Sequence, residues 1–226
     1  HANTSQLVIP DHDTANVLLQ RFPEMEIIVE EAGRRSPKVI LRRTLKRGLR
    51  VFFEKFGRIL FLRISRDQRM RDSALLRHLG DSSEAGRRME QGMVSASINA
   101  PAVIARLREL KPNLVLVYGT GLVRQPVLDA ASCTILNLHT GLSPYYRGVA
   151  CYLWPLKEKD FDRVGVTIHD CVMQLDAGGI LAAEVVGLEH GDQIHDVFAR
   201  QVLKGGQIYA ECAARELNGG VPRIPQ

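Results

Sequence analysis

The stretch Leu114-Val115-Leu116-Val117-Tyr118, which ends in Gly119-Thr120-Gly121, is the clearest fold signal in this sequence. An unbroken apolar run followed by a glycine-rich turn is typical of a strand covered on both faces, as in a parallel sheet. The residues just before it, 101–110, have the apolar spacing of a helix and begin at a proline, which suits a first helical turn. This order of helix, buried strand and turn predicts an α/β fold.

Segments on either side of this stretch continue the alternation of strands and helices. The strand patterns are short apolar runs, and the helix patterns carry apolar residues at three- and four-residue steps. We therefore predict the α/β class, with a Rossmann-like, mostly parallel twisted sheet and helices on both faces. Besides 114–118, the predicted strands are 6–9, 26–30, 134–139, 165–169 and 180–186, and the predicted helices are 13–22, 101–110, 126–131 and 193–217, the last capped by Asp192.

Length and composition exclude several classes of protein. The chain has 226 residues, of which 45% are hydrophobic and 24% charged. That composition excludes a disordered tail, a collagen-like fibre and a disulfide miniprotein, and we expect a single domain over 1–226. No apolar run approaches the ~20 residues that a membrane span needs, and the start at His1 shows no charged-then-apolar leader.

The cysteines predict no metal site and no disulfide framework. None of the four forms a CxxC pair, and no histidine cluster lies beside them at ligand spacing. We expect small buried residues in a reducing cytoplasm. The four are Cys133, Cys151, Cys171 and Cys212.

The positive charge is concentrated in one segment. Residues 34–72 hold fourteen Lys or Arg against three acidic residues, a net charge of +11, so the rest of the chain carries −6. An apolar stripe at helical spacing runs through 41–60, and we predict a basic helical insertion over 34–90. One interpretation is a helix packed on the domain with solvated arginines. The other is contact of 41–60 with a membrane surface or an anionic ligand.

Polar residues follow the buried strands where an open α/β sheet binds its ligands. Three predicted strands end in polar or glycine-rich sequence, and we expect them to share one edge of the sheet. Asn137 and His139 are two apart on an extended chain, so their side chains point to the same face. With a carboxylate nearby they could form an oxyanion site with an acid/base pair. The alternative is an ordinary pair of strand-end caps.

Three separated motifs resemble those of the 10-formyltetrahydrofolate-dependent formyltransferases. The first is Asn137-Leu138-His139-Thr140-Gly141-Leu142-Ser143-Pro144-Tyr145-Tyr146-Arg147-Gly148. The others are Gly165-Val166-Thr167-Ile168-His169 and Leu175-Asp176-Ala177-Gly178-Gly179-Ile180-Leu181, and 111–123 is similar to the family's strand and folate loop. Residue types, order and spacing agree over about residues 95–200.

The resemblance implies roles for three catalytic residues. Asn137 would donate a hydrogen bond to the formyl oxygen, and His139 would donate to the same oxygen as negative charge builds. Asp176 would hold His139 and a water, and carry the proton lost by the attacking amine toward the folate nitrogen that leaves. His169 either orients Asp176 or the folate loop, or is a buried histidine without direct chemistry.

The resemblance also implies a donor and an acceptor. The donor is 10-formyltetrahydrofolate, whose pterin would lie against Gly121-Leu122-Val123 and Val172-Met173-Gln174. Many family members carry Arg where this chain has Gly121, so a side-chain contact from that position is not expected. The acceptor would be a primary amine on a small molecule, with Tyr145, Arg147 and Trp154 as its candidate contacts.

Features outside these motifs narrow the choice of acceptor. The junction at 10–13 lacks a glycine-rich phosphate cradle, which argues against glycinamide ribonucleotide, and we see no segment resembling the tRNA-binding domain of methionyl-tRNA formyltransferases. The loop over 140–148, with Trp154-Pro155 after it, is more similar to amino-sugar formyltransferases. We therefore expect a nucleotide-linked amino sugar.

Two alternatives to this assignment stay open. A hydrolase that passes the formyl group to water would use the same three residues. A non-catalytic protein would use its basic helix on nucleic acid or an anionic membrane, although we expect no specific nucleic-acid partner because the aromatic residues of the segment lie on its apolar side.

Overall fold

A seven-stranded sheet forms the centre of the described part of the chain. The structure is a computed structural model that describes residues 6–9, 12–30, 67–148 and 150–226. The predicted α/β class with a mostly parallel sheet is confirmed, because six of these strands run in one direction and only β6, which pairs antiparallel with β5 and β7, runs against them. In sheet order the strands are β3 (Met93–Ser95), β2 (Glu26–Glu30), β1 (Gln6–Ile9), β4 (Leu114–Tyr118), β5 (Thr134–His139), β6 (Gly165–Asp170) and β7 (Ile180–Val185).

Helices cover both faces of this sheet. The helices of the described residues are α1 (His12–Arg21), α2 (Asp67–Leu79), α3 (Ser83–Gln91), α4 (Pro101–Leu110), α5 (Gln125–Ala131), α6 (Trp154–Glu158) and α7 (Ile194–Leu217). Sequence patterning did not predict β3 or α6, since an edge strand of three residues and a helix of little more than one turn are too short to show a period.

Side-chain alternation along β4 divides the core into two layers. Leu114, Leu116 and Tyr118 pack into the cluster built by α1, α3 and α7. Val115 and Val117 point to the other face and pack with α4 and α5. Every residue of β4 is buried, as its unbroken apolar sequence predicts for a strand covered on both sides.

The direction of β6 differs from the prediction. We expected the strand that ends near His169 to finish at the same edge as β4 and β5, and this is wrong because β6 runs antiparallel to β5. Its register places His169 directly opposite Asn137. His169 therefore reaches the site through strand pairing, and the chain then turns through 171–179 before entering β7.

The start of α7 also differs from the prediction. Asp192 does not cap this helix. The cap residue is Gln193, whose side chain accepts from the backbone of Asp196 while the Asp196 carboxylate accepts from the backbone of Gln193. The Asp192 carboxylate accepts from the Glu189 N–H and pairs with Arg200, which fixes the loop before the helix.

The basic segment is described only in part. Residues 67–90 of the predicted insertion lie mostly in α2 and α3, which confirms their helical character. The stripe at 41–60, with its membrane-surface interpretation, lies outside the described residues. Within the described ranges, no helix has the length and apolar character needed to cross a membrane.

Candidate active site

The end of β5 places two polar side chains in a cavity of the described residues. Asn137 and His139 both line this cavity of about 390 Å³, as their spacing of two residues predicts. Asn137 is half-buried, and His139 is only 6% exposed. Alternation along β5 sends Leu136 and Leu138 into the core on the α7 side, so the two polar side chains are left for the cavity.

The turn between β6 and β7 brings Asp176 into the same cavity. Asp176 has a φ of 46°, a left-handed conformation that is uncommon for residues other than glycine but that Asp tolerates better than most. Its Oδ2 accepts the N–H of Gly148 at 2.8 Å, and Gly148 itself has a φ of 96° that favours glycine. The turn is tight, since a Cβ on Gly178 would lie 1.9 Å from the Asp170 carbonyl oxygen.

The three predicted catalytic side chains converge, with His169 between them. His139 Nδ1 lies 3.8 Å from Asp176 Oδ2, and His169 Nε2 lies 3.5 Å from Asp176 Oδ1. Asn137 Nδ2 is 3.0 Å from His169 Nε2. The structure therefore brings one amide, two imidazoles and one carboxylate into one connected group, in which Asn137 contacts His169 and both imidazoles lie beside Asp176.

Backbone carbonyls fix which nitrogen of each ring carries a proton. His139 Nε2 is 2.8 Å from the carbonyl oxygen of Tyr146, which only accepts, so Nε2 is the donor and Nδ1 is left facing Asp176. His169 Nδ1 donates in the same way to the Asp170 carbonyl at 2.8 Å. Its Nε2 then accepts from the Asn137 amide, which keeps its second N–H free.

Burial and charge set the protonation states of His139 and Asp176. Burial lowers the pKa of His139 below its usual value, and the Asp176 carboxylate opposes this only in part. Burial alone would raise the pKa of Asp176, but neighbouring groups, among them the Gly148 N–H that donates to its Oδ2, outweigh burial and lower that pKa. At neutral pH the site thus holds a neutral His139 beside an ionised Asp176.

The two predicted donor segments lie along the cavity. Gly121, Leu122 and Val123 line it after β4, and Val172 and Gln174 line it after β6. Met173 lies between the last two, 49% exposed, and is not part of the lining.

Two polar residues that sequence reasoning missed shape the first of these segments. Asn99 donates to the Leu122 carbonyl at 2.8 Å and accepts from the Arg124 N–H at 2.9 Å. Glu30, at the end of β2, accepts from the Gly121 N–H at 2.8 Å. Neither residue belongs to a recognisable motif, so only the folded chain shows that they hold this loop.

The three predicted acceptor contacts lie elsewhere on the surface. Tyr145 is 60% exposed and stacks under the Arg163 guanidinium at 4.2 Å. Trp154 is 42% exposed, with the Lys157 ammonium 5.1 Å from its ring. Arg147 is exposed, and none of the three is among the residues that line the cavity.

Other side chains of the cavity were not predicted. Arg71 of α2 and Phe198 of α7 line it, and the Arg71 guanidinium lies 4.6 Å from the centroid of the Phe198 ring. Sequence reasoning treated Arg71 as one of many arginines of the basic segment, and no local signal separates it from them.

Fold and site together define a class of protein. It is an α/β protein that holds an amide donor and an imidazole–carboxylate pair at the end of a parallel strand, an arrangement suited to acyl transfer. A sequence model of the family described as formyl transferase matches residues 64–212. The chain belongs to the formyl transferase family, which confirms the resemblance that the motifs indicated.

Individual relatives agree with this membership. Methionyl-tRNA formyltransferase from Akkermansia muciniphila is 37% identical over 108 residues, which are 46% of this chain and 34% of that protein, so the chain spans about a third of the length of this curated relative. Among solved structures, glycinamide ribonucleotide transformylase 1 from Symbiobacterium toebii has a TM-score of 0.62 at 20% identity, covering 95% of this chain and 87% of its own. A sugar N-formyltransferase from a Shewanella species has a TM-score of 0.60 at 14% identity, covering 99% and 73%. At such identities the structural likeness shows the fold alone.

Proposed function

We propose that this protein transfers a formyl group from 10-formyltetrahydrofolate to a primary amine. The observation that carries the proposal is the convergence of Asn137, His139 and Asp176 in one cavity, beside the two segments predicted to hold the donor. Membership in the formyl transferase family supports the same reaction.

The cavity suits the proposed donor. Its volume of about 390 Å³ is within the range of small-molecule sites, and three of its apolar side chains are unusually exposed. These are Leu122 at 51%, Val172 at 38% and Leu175 at 56%. Exposed apolar side chains around a cavity favour a flat aromatic ligand, whose faces they would cover. When bound, the donor supplies the formyl carbon and a folate nitrogen that leaves with a proton.

Asn137 is the proposed hydrogen-bond donor to the formyl oxygen. Its amide is held by His169 through one N–H, and the second N–H stays available inside the cavity. A donor fixed before the reaction stabilises developing negative charge without reorganisation, and one such donor contributes about 10²–10³ in rate.

His139 and Asp176 are proposed to handle the proton of the amine. Because His139 Nε2–H is bound to the Tyr146 carbonyl, its Nδ1 is the nitrogen open to a proton. Protonation there would place a positive charge on a ring whose Nδ1 lies 3.8 Å from Asp176 Oδ2, so the carboxylate would stabilise the charged ring. This geometry favours proton acceptance at Nδ1, whereas the sequence resemblance implied donation to the formyl oxygen.

For the acceptor, we propose a nucleotide-linked amino sugar. The support is the similarity of the loop over 140–148 to amino-sugar formyltransferases. Tyr145 and Arg147 of this loop are exposed, and its Gly148 donates its N–H to Asp176. Trp154 opens the short helix that follows this loop.

Methionyl-tRNA is the second candidate acceptor. The sequence relative reported above is a methionyl-tRNA formyltransferase, and its identity of 37% exceeds that of the two structural relatives. Both acceptors present a primary amine, so the same catalytic group would serve either one.

A product screen tests the proposal. The protein is incubated with 10-formyltetrahydrofolate and, in separate reactions, a UDP-linked amino sugar, glycinamide ribonucleotide, methionyl-tRNA or a polyamine. We expect a mass gain of one formyl group on the amino sugar, whereas formylation of methionyl-tRNA alone would support the second candidate. Free formate in every reaction, with no formylated amine, would replace the transferase proposal by hydrolysis. Absence of both products would reject it.

A further inference from the structure

Arg71 is a positively charged side chain of the cavity to which the proposed reaction assigns no role. Arg71 lines the cavity together with Asn137, His139 and Asp176, although it comes from α2, well before them in the chain. Its side chain is exposed, and it takes part in none of the ion pairs found among the side chains that the structure describes. By contrast, Arg77 on the same helix pairs with Asp196 at 2.6 Å.

Packing against an aromatic ring orients the Arg71 guanidinium. Its central carbon lies 4.6 Å from the centroid of the Phe198 ring, which is only 7% exposed and packs on Tyr152 at 4.9 Å. This contact is a cation–π interaction, which leaves guanidinium N–H groups able to donate to a ligand. A planar fork of donors fixed in this way matches a phosphate or a carboxylate.

The position of Arg71 separates it from the donor segments. Val123, which ends the first of those segments, and Cys171, which directly precedes the second, pack in the core on the α4 and α5 side of the sheet. Phe198 packs with α2 and α7, on the other side. The cavity therefore has two walls, one lined by the donor segments and one by Arg71 and Phe198, with the catalytic side chains at the end of β5 between them.

We infer that Arg71 binds a phosphate group of the amine acceptor. This inference rests on the proposed formyl transfer and adds to it the residue that would bind the phosphate of a nucleotide-linked acceptor. With the formyl donor on the wall lined by the donor segments and the phosphate held by Arg71 on the opposite wall, the acceptor amine would lie between them, beside Asn137 and His139. Bidentate contact from one oriented guanidinium provides both affinity and direction.

Direct binding tests this inference without requiring turnover. The probes are inorganic pyrophosphate, citrate as a carboxylate control, and tetrahydrofolate, each titrated calorimetrically into the full chain. The variants are Arg71→Met, Arg71→Lys and Arg69→Met, the last an exposed arginine two residues away on α2 that does not line the cavity. Thermal denaturation of each variant confirms that it is folded.

We expect Arg71→Met to weaken pyrophosphate binding at least tenfold, since charge-assisted hydrogen bonds are lost. Arg71→Lys should lose about threefold to tenfold, because it keeps the charge but not the fork. Tetrahydrofolate binding should stay within twofold in all variants. For a phosphate-bearing acceptor, KM should rise in Arg71→Met with little change in kcat.

Several results would overturn the inference. The inference is wrong if pyrophosphate does not bind the wild-type chain. It is also wrong if pyrophosphate binds Arg71→Met as tightly as it binds the wild-type chain. If Arg69→Met loses as much pyrophosphate affinity as Arg71→Met, the effect comes from the net charge of the helix and not from a site at Arg71. An equal loss of tetrahydrofolate affinity assigns Arg71 to the donor, and citrate binding without pyrophosphate binding assigns it to carboxylates. Failure of the proposed reaction would instead appear as absent transfer by the wild-type chain, whatever the pyrophosphate data show.

Discussion

Replacement of Asp176 by Asn removes one charge from the catalytic group while keeping its shape. The side chain is 9% exposed, and an Asn oxygen can still accept the Gly148 N–H that Asp176 accepts at 2.8 Å. What is lost is the negative charge 3.8 Å from His139 Nδ1. The variant therefore tests the carboxylate as a charge and not as a structural contact.

The size of the effect follows from that distance. Two unit charges about 4 Å apart attract by about 1 kcal/mol in water and about 4 kcal/mol at the effective dielectric of a protein surface. That range corresponds to a roughly 5- to 900-fold loss in the affinity of His139 for a proton. Since Asp176 raises the pKa of His139 against the effect of burial, the variant should lower that pKa further. Loss of the proton-handling pair should slow transfer by about 10²–10⁴.

Two measurements check this prediction. Single-turnover quenched-flow experiments give the transfer rate, and an NMR titration of the histidine ring protons gives the pKa of His139. Asp129→Asn, an exposed carboxylate on α5, is the matched control and should leave both unchanged. A folded Asp176→Asn variant with a transfer rate within threefold of wild type, or with an unmoved His139 pKa, would refute the reasoning.

Other perturbations give further expectations. Tyr209→Phe removes a buried hydroxyl that donates to a β5 carbonyl at 2.6 Å, and should lower the free energy of unfolding by about 1–2 kcal/mol in urea titrations. Gly178→Ala places a Cβ 1.9 Å from a carbonyl oxygen, so both stability and kcat should fall, the former by about 2 kcal/mol or more. Because the folded-state pKa of His139 lies below its unfolded value, stability should decrease as pH falls below about 6.5, and kcat/KM should decrease as pH falls through the lowered pKa.

Each of these expectations has its control. Gly187→Ala, where nothing lies within 4 Å of the added Cβ, should leave activity unchanged, and an equal loss there would remove the steric argument for Gly178. An unfolding free energy unchanged in Tyr209→Phe would show that its hydrogen bond contributes nothing net. A His139→Gln variant should lose the fall of kcat/KM in acid, and retention of the same profile would assign it to another group.

Local patterns predicted those parts of the fold that depend on short-range sequence. The unbroken apolar run of β4 and the spacing of Asn137 and His139 on β5 both appear in the structure as predicted, because strand burial and side-chain alternation are local properties. The direction of β6 was not predictable in this way. The connection of 140–164 contains the short helix α6 and is long enough for a parallel crossover as well as for the antiparallel return that is observed.

The remaining parts of the site depend on contacts between distant residues. Asp176 was found through its resemblance to a family motif, and only the fold shows that it lies 3.8 Å from His139. Asn99 holds a loop more than twenty residues away in sequence. Arg71 differs from Arg69 and Arg77 on the same helix because it packs against the Phe198 ring and lines the cavity. Such roles arise from tertiary packing and leave no periodic signal.

Single-turnover transfer from isotopically labelled 10-formyltetrahydrofolate by the Asn137→Ala variant tests the central claim most directly. The acceptor is the one that the product screen identifies, and tetrahydrofolate affinity is measured on the same preparation. The account predicts transfer about 10²–10³-fold slower than wild type, because the hydrogen-bond donor to the formyl oxygen is removed. Tetrahydrofolate affinity should stay unchanged, because the two donor segments are left intact. Transfer at the wild-type rate by a folded variant would contradict it.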